Sequence, residues 1–102
     1  MDAIDTSCVS GRLTVLFTGE LDMQSAPALI AVVDQQLTDC RPREVVFDMS
    51  ALTFLDSTGI GLLVGYRNQG RSDGFDVAVV NSSTRIRRLF EINALTRWFG
   101  ME

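Results

Sequence analysis

The sequence predicts an α/β fold: a mixed β-sheet of about four to five strands with packed α-helices, in the order ββαβαβα and with a closing strand expected at the end. Three observations lead there. The chain opens on two alternating segments around a short turn signal, Ser10-Gly11, as a hairpin does. Two later segments, Val45-Val46-Phe47 and Val77 to Val80, are continuously apolar, as in strands covered on both faces. Between and after them run segments with apolar residues at helical spacing.

The first strand is Ala3 to Val9, where Ile4, Thr6 and Cys8 share one side. Its partner alternates Leu13, Val15 and Phe17 with Arg12, Thr14 and Thr18, and ends at Gly19-Glu20-Leu21-Asp22. Ser25 is a favourable N-cap, and Pro27 is tolerated in a first helical turn. Ala26, Leu29, Ile30, Val33 and Leu37 then mark an amphipathic helix to about Cys40, broken by Arg41-Pro42-Arg43.

After the central strand at Val45 to Phe47, Ser57 or Thr58 is expected to cap a second helix. Ile60, Leu63 and Val64 are read as its inner face, with Tyr66 and Arg67 turned outward. It fades at Gly70, and Ser72-Asp73-Gly74 makes the turn into the next strand. Ser82 or Ser83 caps a last helix that turns Ile86, Leu89 and Phe90 inward and Arg85, Arg87 and Arg88 to solvent. Thr96 to Phe99 is the expected closing strand. Met23 and Met49 are read as packing residues.

The 102 residues are read as a single domain, 1–102, large enough to bury a core without disulfides or metals. The net charge of −4 argues against direct nucleic-acid binding. Residues 1–57 carry nine acids against Arg12, Arg41 and Arg43, whereas residues 58–102 carry four against six arginines.

The chain holds no histidine and no lysine. That removes serine–histidine and cysteine–histidine nucleophile pairs, the commonest metal ligand, and Schiff-base or P-loop chemistry. Cys8 and Cys40 fit no metal spacing and are read as buried thiols. No catalytic residue, cofactor or metal site is predicted. No signal peptide, polybasic tract or long apolar run is present, so a cytoplasmic location away from membranes is expected.

The most informative segment is Leu52-Thr53-Phe54-Leu55-Asp56-Ser57-Thr58-Gly59-Ile60-Gly61. It delivers a carboxylate, two hydroxyls and two glycines to a helix start. A helix cap is the simplest use of such residues. Aspartic proteases use Asp-Thr-Gly or Asp-Ser-Gly, but here an extra residue separates Asp56 from Gly59, and a helical pattern follows. A phosphorylation switch is the third use: a serine at a helix N-terminus is open to a kinase, and the helix end accommodates the phosphate.

The chain resembles the STAS domain family, in particular bacterial anti-sigma factor antagonists. Thr18-Gly19-Glu20-Leu21-Asp22 resembles the family's strand end, and Val45-Val46-Phe47-Asp48-Met49-Ser50 with Leu52 its central strand. Phe54 to Gly61 resembles its signature, and Arg87-Arg88-Leu89-Phe90-Glu91 with Leu95 its late helix.

The resemblance implies a STAS-like sheet and a partner-switching role. The unphosphorylated antagonist would bind an anti-sigma factor that is also a serine kinase, freeing a sigma factor. The kinase would phosphorylate the antagonist, which then lets go, and a PPM-type phosphatase would reset it. Ser57 aligns with the family's phosphoacceptor. Asp22, Asp56, Ser57, Thr58, Gly59 and Gly61 would form the partner-binding surface, the glycines keeping it flat, although Asp22 serves equally well as a turn residue or cap. Thr58 stands where the family commonly has serine. The alternative is an unmodified STAS subunit of a transporter-associated or sensory complex. Relatives usually continue into another helix, so Trp98 and Phe99 are expected to be less covered, and a partner or a weak homodimer would shield them.

Overall fold

The computed structural model describes residues 3–101. Strands β1 (Ala3–Val9) and β2 (Arg12–Leu21) form an antiparallel hairpin, followed by α1 (Ala26–Cys40), β3 (Glu44–Asp48), β4 (Leu52–Leu55), α2 (Ser57–Asp73), β5 (Asp76–Val80) and α3 (Thr84–Ile92). The sheet order is β1-β2-β3-β5, with β4 paired to β2 as well, so the sheet has five strands and is mixed. The α/β expectation holds, with two changes in the element order.

The first change is an additional strand. β2 is long enough to serve two parallel partners: Arg12 to Leu16 pair with β3, and Gly19 to Leu21 pair with β4. The register shifts between Gly19 and Glu20, where Gly19 takes a left-handed φ of 112° and its amide donates to the Ala51 carbonyl at 3.0 Å. A glycine tolerates that conformation at little cost. A turn at 50–51, in which the Leu52 amide donates to the Met49 carbonyl at 3.1 Å, separates β4 from β3, and the expected element order leaves β4 out. The second change is the closing segment, which forms turns instead of a strand; the Val79 amide donates to the Phe99 carbonyl at 2.8 Å.

Leu13, Val15 and Phe17 of β2, Val45 and Phe47 of β3, and Val77 and Val79 of β5 build the sheet side of the core. Leu29 and Val33 of α1, Leu63 of α2 and Phe90 of α3 complete it. Phe99 is fully buried and packs edge-on against Phe90, with 5.5 Å between ring centroids. This corrects the expected exposure of Phe99, while Trp98 is 42% exposed and lies under the Arg67 guanidinium.

The inner stripe of α2 is Gly59, Leu63, Tyr66 and Gly70. Tyr66 is therefore inside, not outside, and Ile60 and Val64 are only half-buried. Two glycines belong to the buried stripe, and glycine carries no side chain for a hydrophobic pattern to register. A Cβ at Gly70 would collide with the Phe75 carbonyl oxygen and ring.

The cysteines also differ from expectation. Cys8, on the outer strand β1, is exposed, and Cys40, at the end of α1, is half-buried. The two form a disulfide with a Cα–Cα distance of 6.3 Å. Their separation of 32 residues hides the pairing in sequence; the return of α1 along the sheet brings them together.

Candidate functional site

The parallel pairing of β2 with β4 sets Leu21 opposite Leu55, both buried. Each strand then ends on an aspartate: Asp22 after β2 and Asp56 after β4. The Asp56 amide donates to the Leu21 carbonyl at 3.4 Å, so the ladder continues to the edge of the site. Two carboxylates far apart in sequence thus emerge from adjacent strand ends, where an α/β sheet gathers its functional loops.

Asp56 has extended backbone angles, φ −111° and ψ −174°, and its Oδ1 accepts a hydrogen bond from the Gly59 amide at 3.1 Å. It is the N-cap of α2, which corrects the expectation that Ser57 or Thr58 caps this helix. Ser57 is instead the first helical residue, with Thr58 next, and both are exposed. Ser57 accordingly stands at the electropositive end of a 17-residue helix with its hydroxyl outside the cap.

Asp22 is half-buried and closes the turn before α1. Its Oδ1 accepts from the Gln24 amide at 2.9 Å and the Ser25 amide at 3.1 Å. Ser25 is the N-cap residue of α1, but its hydroxyl makes no cap to the helix amides; it accepts from the Asp22 amide at 3.0 Å and donates to the Glu20 carbonyl at 2.7 Å. The turn role of Asp22 foreseen as an alternative is therefore present, while its carboxylate accepts from no amide within α1.

The glycines divide. Gly59 is buried; a Cβ there would collide with Leu55 Cδ1 and stand 3.0 Å from Leu21 Cγ and 3.1 Å from the Leu21 carbonyl oxygen. It does not flatten a surface: it lets the first turn of α2 settle onto the ends of β2 and β4. Gly61 is exposed, and a Cβ there would meet nothing within 4 Å. With Gly65 it lines a shallow groove of about 350 Å³ between α1 and α2, walled by Ile30 and Tyr66.

Two apolar side chains flank these groups. Met23, immediately after Asp22, is 74% exposed, and Phe54, two residues before Asp56, is 44% exposed. Neither entered the predicted site, and Met23 is not the packing residue expected, whereas Met49 is, at 2% exposed. Phe54 also lines a small hollow with Arg85, Ile86 and Leu89 of α3. Met and aromatic side chains are the types enriched at protein contacts relative to the rest of a surface.

Among the described residues, no group of three metal-ligating side chains lies close enough to hold an ion, and no helix is long and apolar enough to cross a membrane.

Residues 3–102 match the family model described as the STAS domain. The anti-sigma-B factor antagonist of Staphylococcus aureus strain NCTC 8325 is 32% identical over 92 residues, covering 90% of this chain and 84% of the relative. The crystal structure of an anti-sigma factor antagonist from Mycobacterium paratuberculosis is 31% identical, covers 97% of this chain and 83% of that one, and superposes with a TM-score of 0.76. The anti-sigma factor antagonist SpoIIAA in its unphosphorylated form gives a TM-score of 0.81 at 22% identity, over 94% of this chain and 84% of that one, a likeness of fold.

Proposed function

The chain belongs to the STAS domain family, and on that premise we propose that it is an anti-sigma factor antagonist whose docking is switched by phosphorylation of Ser57. Residues 1–102 act together as one binding domain in the cytoplasm. The chain is the substrate of the switching enzymes and carries out no catalysis of its own. Its partner is an anti-sigma factor that is also a serine kinase; binding it releases a sigma factor.

One observation supports this reading above the rest: Asp56 takes the cap of α2, which leaves the exposed Ser57 hydroxyl outside it. In the switching step the Ser57 Oγ forms a bond to the γ-phosphorus of ATP. The bond to the β-phosphate oxygen breaks, ADP leaves, and the hydroxyl proton passes to a base of the kinase. The product carries about −1.5 to −2 charges.

That charge arises next to Asp56 and close to the strand end that bears Asp22. The helix end tolerates the phosphate within the free protein. A partner surface shaped to receive Asp22, Asp56, Ser57, Thr58 and Gly61 does not, since unpaired like charge in an interface costs several kcal/mol. A loss of about 3 kcal/mol weakens binding roughly a hundredfold. The domain itself stays folded, and a PPM-type phosphatase restores the docking form. Gly59 contributes by holding the helix start against Leu21 and Leu55.

The test is incubation of the chain with candidate serine-kinase anti-sigma factors and ATP, followed by peptide mass spectrometry. One phosphate on Ser57, accompanied by release of the partner, is the expected result. Permanent association with no phosphate added would overturn it and favour the transporter-associated or sensory-complex role.

A further inference from the structure

Cys8 and Cys40 take no part in the Ser57 surface. Cys8 pairs with Leu13 near the start of β2, whereas Asp22 follows its end. At about 3.3 Å per strand residue and 1.5 Å per helix residue, the disulfide and the docking surface lie roughly 20–30 Å apart, at opposite ends of the sheet. The bond ties an outer strand to the far end of α1, the helix whose near end is organised by Asp22 and Ser25.

We infer that the Cys8–Cys40 pair is a reversible redox staple, closed by oxidising small-molecule disulfides and opened by reducing thiols, which sets the stability of the domain while leaving its docking surface in place. Three features support this. The Cα–Cα distance of 6.3 Å lies in the range that a disulfide spans without backbone movement. Cys8 is exposed on the outer strand, so a thiolate from solution can reach it. Neither cysteine is fully buried: Cys8 is exposed and Cys40 is half-buried against the edge of the core, so opening the bond, which removes no atoms of either side chain, creates no core cavity.

The inference rests on the cytoplasmic reading in one respect: in that compartment glutathione keeps most thiols reduced, and the disulfides that do form there are usually transient or redox-sensing. Closure is balanced by the oxidant. The Cys8 thiolate attacks one sulfur of oxidised glutathione, forming a mixed disulfide and expelling one glutathione thiolate. The Cys40 thiolate then attacks the Cys8 sulfur and expels the second. Two protein thiols and one small-molecule disulfide become one protein disulfide and two small-molecule thiols.

The full chain, equilibrated in glutathione buffers from fully reduced to fully oxidised, tests this. Iodoacetamide trapping and intact-mass analysis count free thiols, and Tm is read in parallel. The expected result is a change from two trapped thiols to none within folded monomers, with Tm higher by roughly 10–20 °C in the closed form. Ser57→Ala and the unmodified chain should respond alike, so failure of the phosphorylation reading would not disturb this readout. Cys8→Ser should remain folded and lose the redox dependence of Tm. Two trapped thiols in every buffer, disulfide-linked dimers in place of a closed monomer, or a bond that opens only when the chain unfolds would each overturn the staple.

Discussion

Asp56 and Gly59 are joined by a 3.1 Å hydrogen bond from the Gly59 amide to the Asp56 carboxylate, and this bond decides which residue near the start of α2 is left open. An aspartate cap satisfies an amide that the helix cannot. Asp56→Ala should lower stability by about 1 kcal/mol, seen as a Tm fall of roughly 5 °C, and Asp56→Ser should recover most of it. An alanine variant that melts with the parent would remove Asp56 from the capping role.

Ser57 is exposed and outside that cap, so substituting it should leave the fold intact and change binding alone. Ser57→Ala should hold the partner whether or not ATP is present. Ser57→Asp should weaken binding by roughly a hundredfold, the equivalent of about 3 kcal/mol. Titration calorimetry with the anti-sigma factor is the measurement; equal affinities for both variants would end the switch model.

Gly59 and Gly61, two residues apart, should respond in opposite directions. A methyl at Gly59 strikes Leu55 and crowds Leu21, so Gly59→Ala should cost about 1–3 kcal/mol. Gly61 has open space around the same position, and Gly61→Ala should stabilise α2 by roughly 0.5–1 kcal/mol through helix propensity. Urea titration of the pair separates the two, and matching shifts of one sign would contradict the packing described.

Burial raises the pKa of the Tyr66 hydroxyl above its ordinary value of 10.0, and the Asp34 carboxylate, which accepts its hydrogen bond at 2.9 Å, raises it further. The protonated phenol is therefore favoured in the folded state. Its contribution is complete below about pH 10 and is lost as pH climbs from there toward the raised folded value. Stability measured between pH 9 and 11 should fall more steeply for the parent than for Tyr66→Phe. At neutral pH that variant should cost about 1 kcal/mol for the lost bond.

Asp48 behaves in the opposite sense. Burial raises its pKa, but hydrogen bonds from Ser50 and from the Asn81 amide outweigh it and hold the carboxyl below its ordinary 3.8. The stabilisation is present above that value and is lost as pH falls through the lower folded one. Asn81 has a left-handed φ of 59°, so Asn81→Gly keeps the backbone and removes one donor. The glycine variant should show a shallower loss of stability as pH falls below about 4, followed by circular dichroism; an unchanged acid limb would exclude the Asn81 bond as its source.

Local chemistry made much of this molecule readable. The Ser10-Gly11 turn has φ values of 52° and 80°, the left-handed pair a tight hairpin needs. Leu29 and Val33 fall on the buried face of α1 as their spacing requires, and Ser83 accepts the Ile86 amide at 3.2 Å as a cap does. β4 was hidden because it is four residues long and exists only where Gly19 bends β2. The buried stripe of α2 is hard to read in sequence because Gly59 and Gly70 carry no side chain, which shifts the apparent inner face away from Tyr66.

Taken alone, the amino-acid order determined the α/β architecture and the segment that carries the proposed Ser57 site, because hydrophobic period, turn residues and motif spacing act over a few neighbouring positions. Tertiary structure decided which of three adjacent capping residues caps α2, that Asp22 and Asp56 emerge side by side, and that Cys8 meets Cys40. Each of those outcomes depends on strand register and on the path of α1 across the sheet, and both are settled by packing between segments distant along the chain.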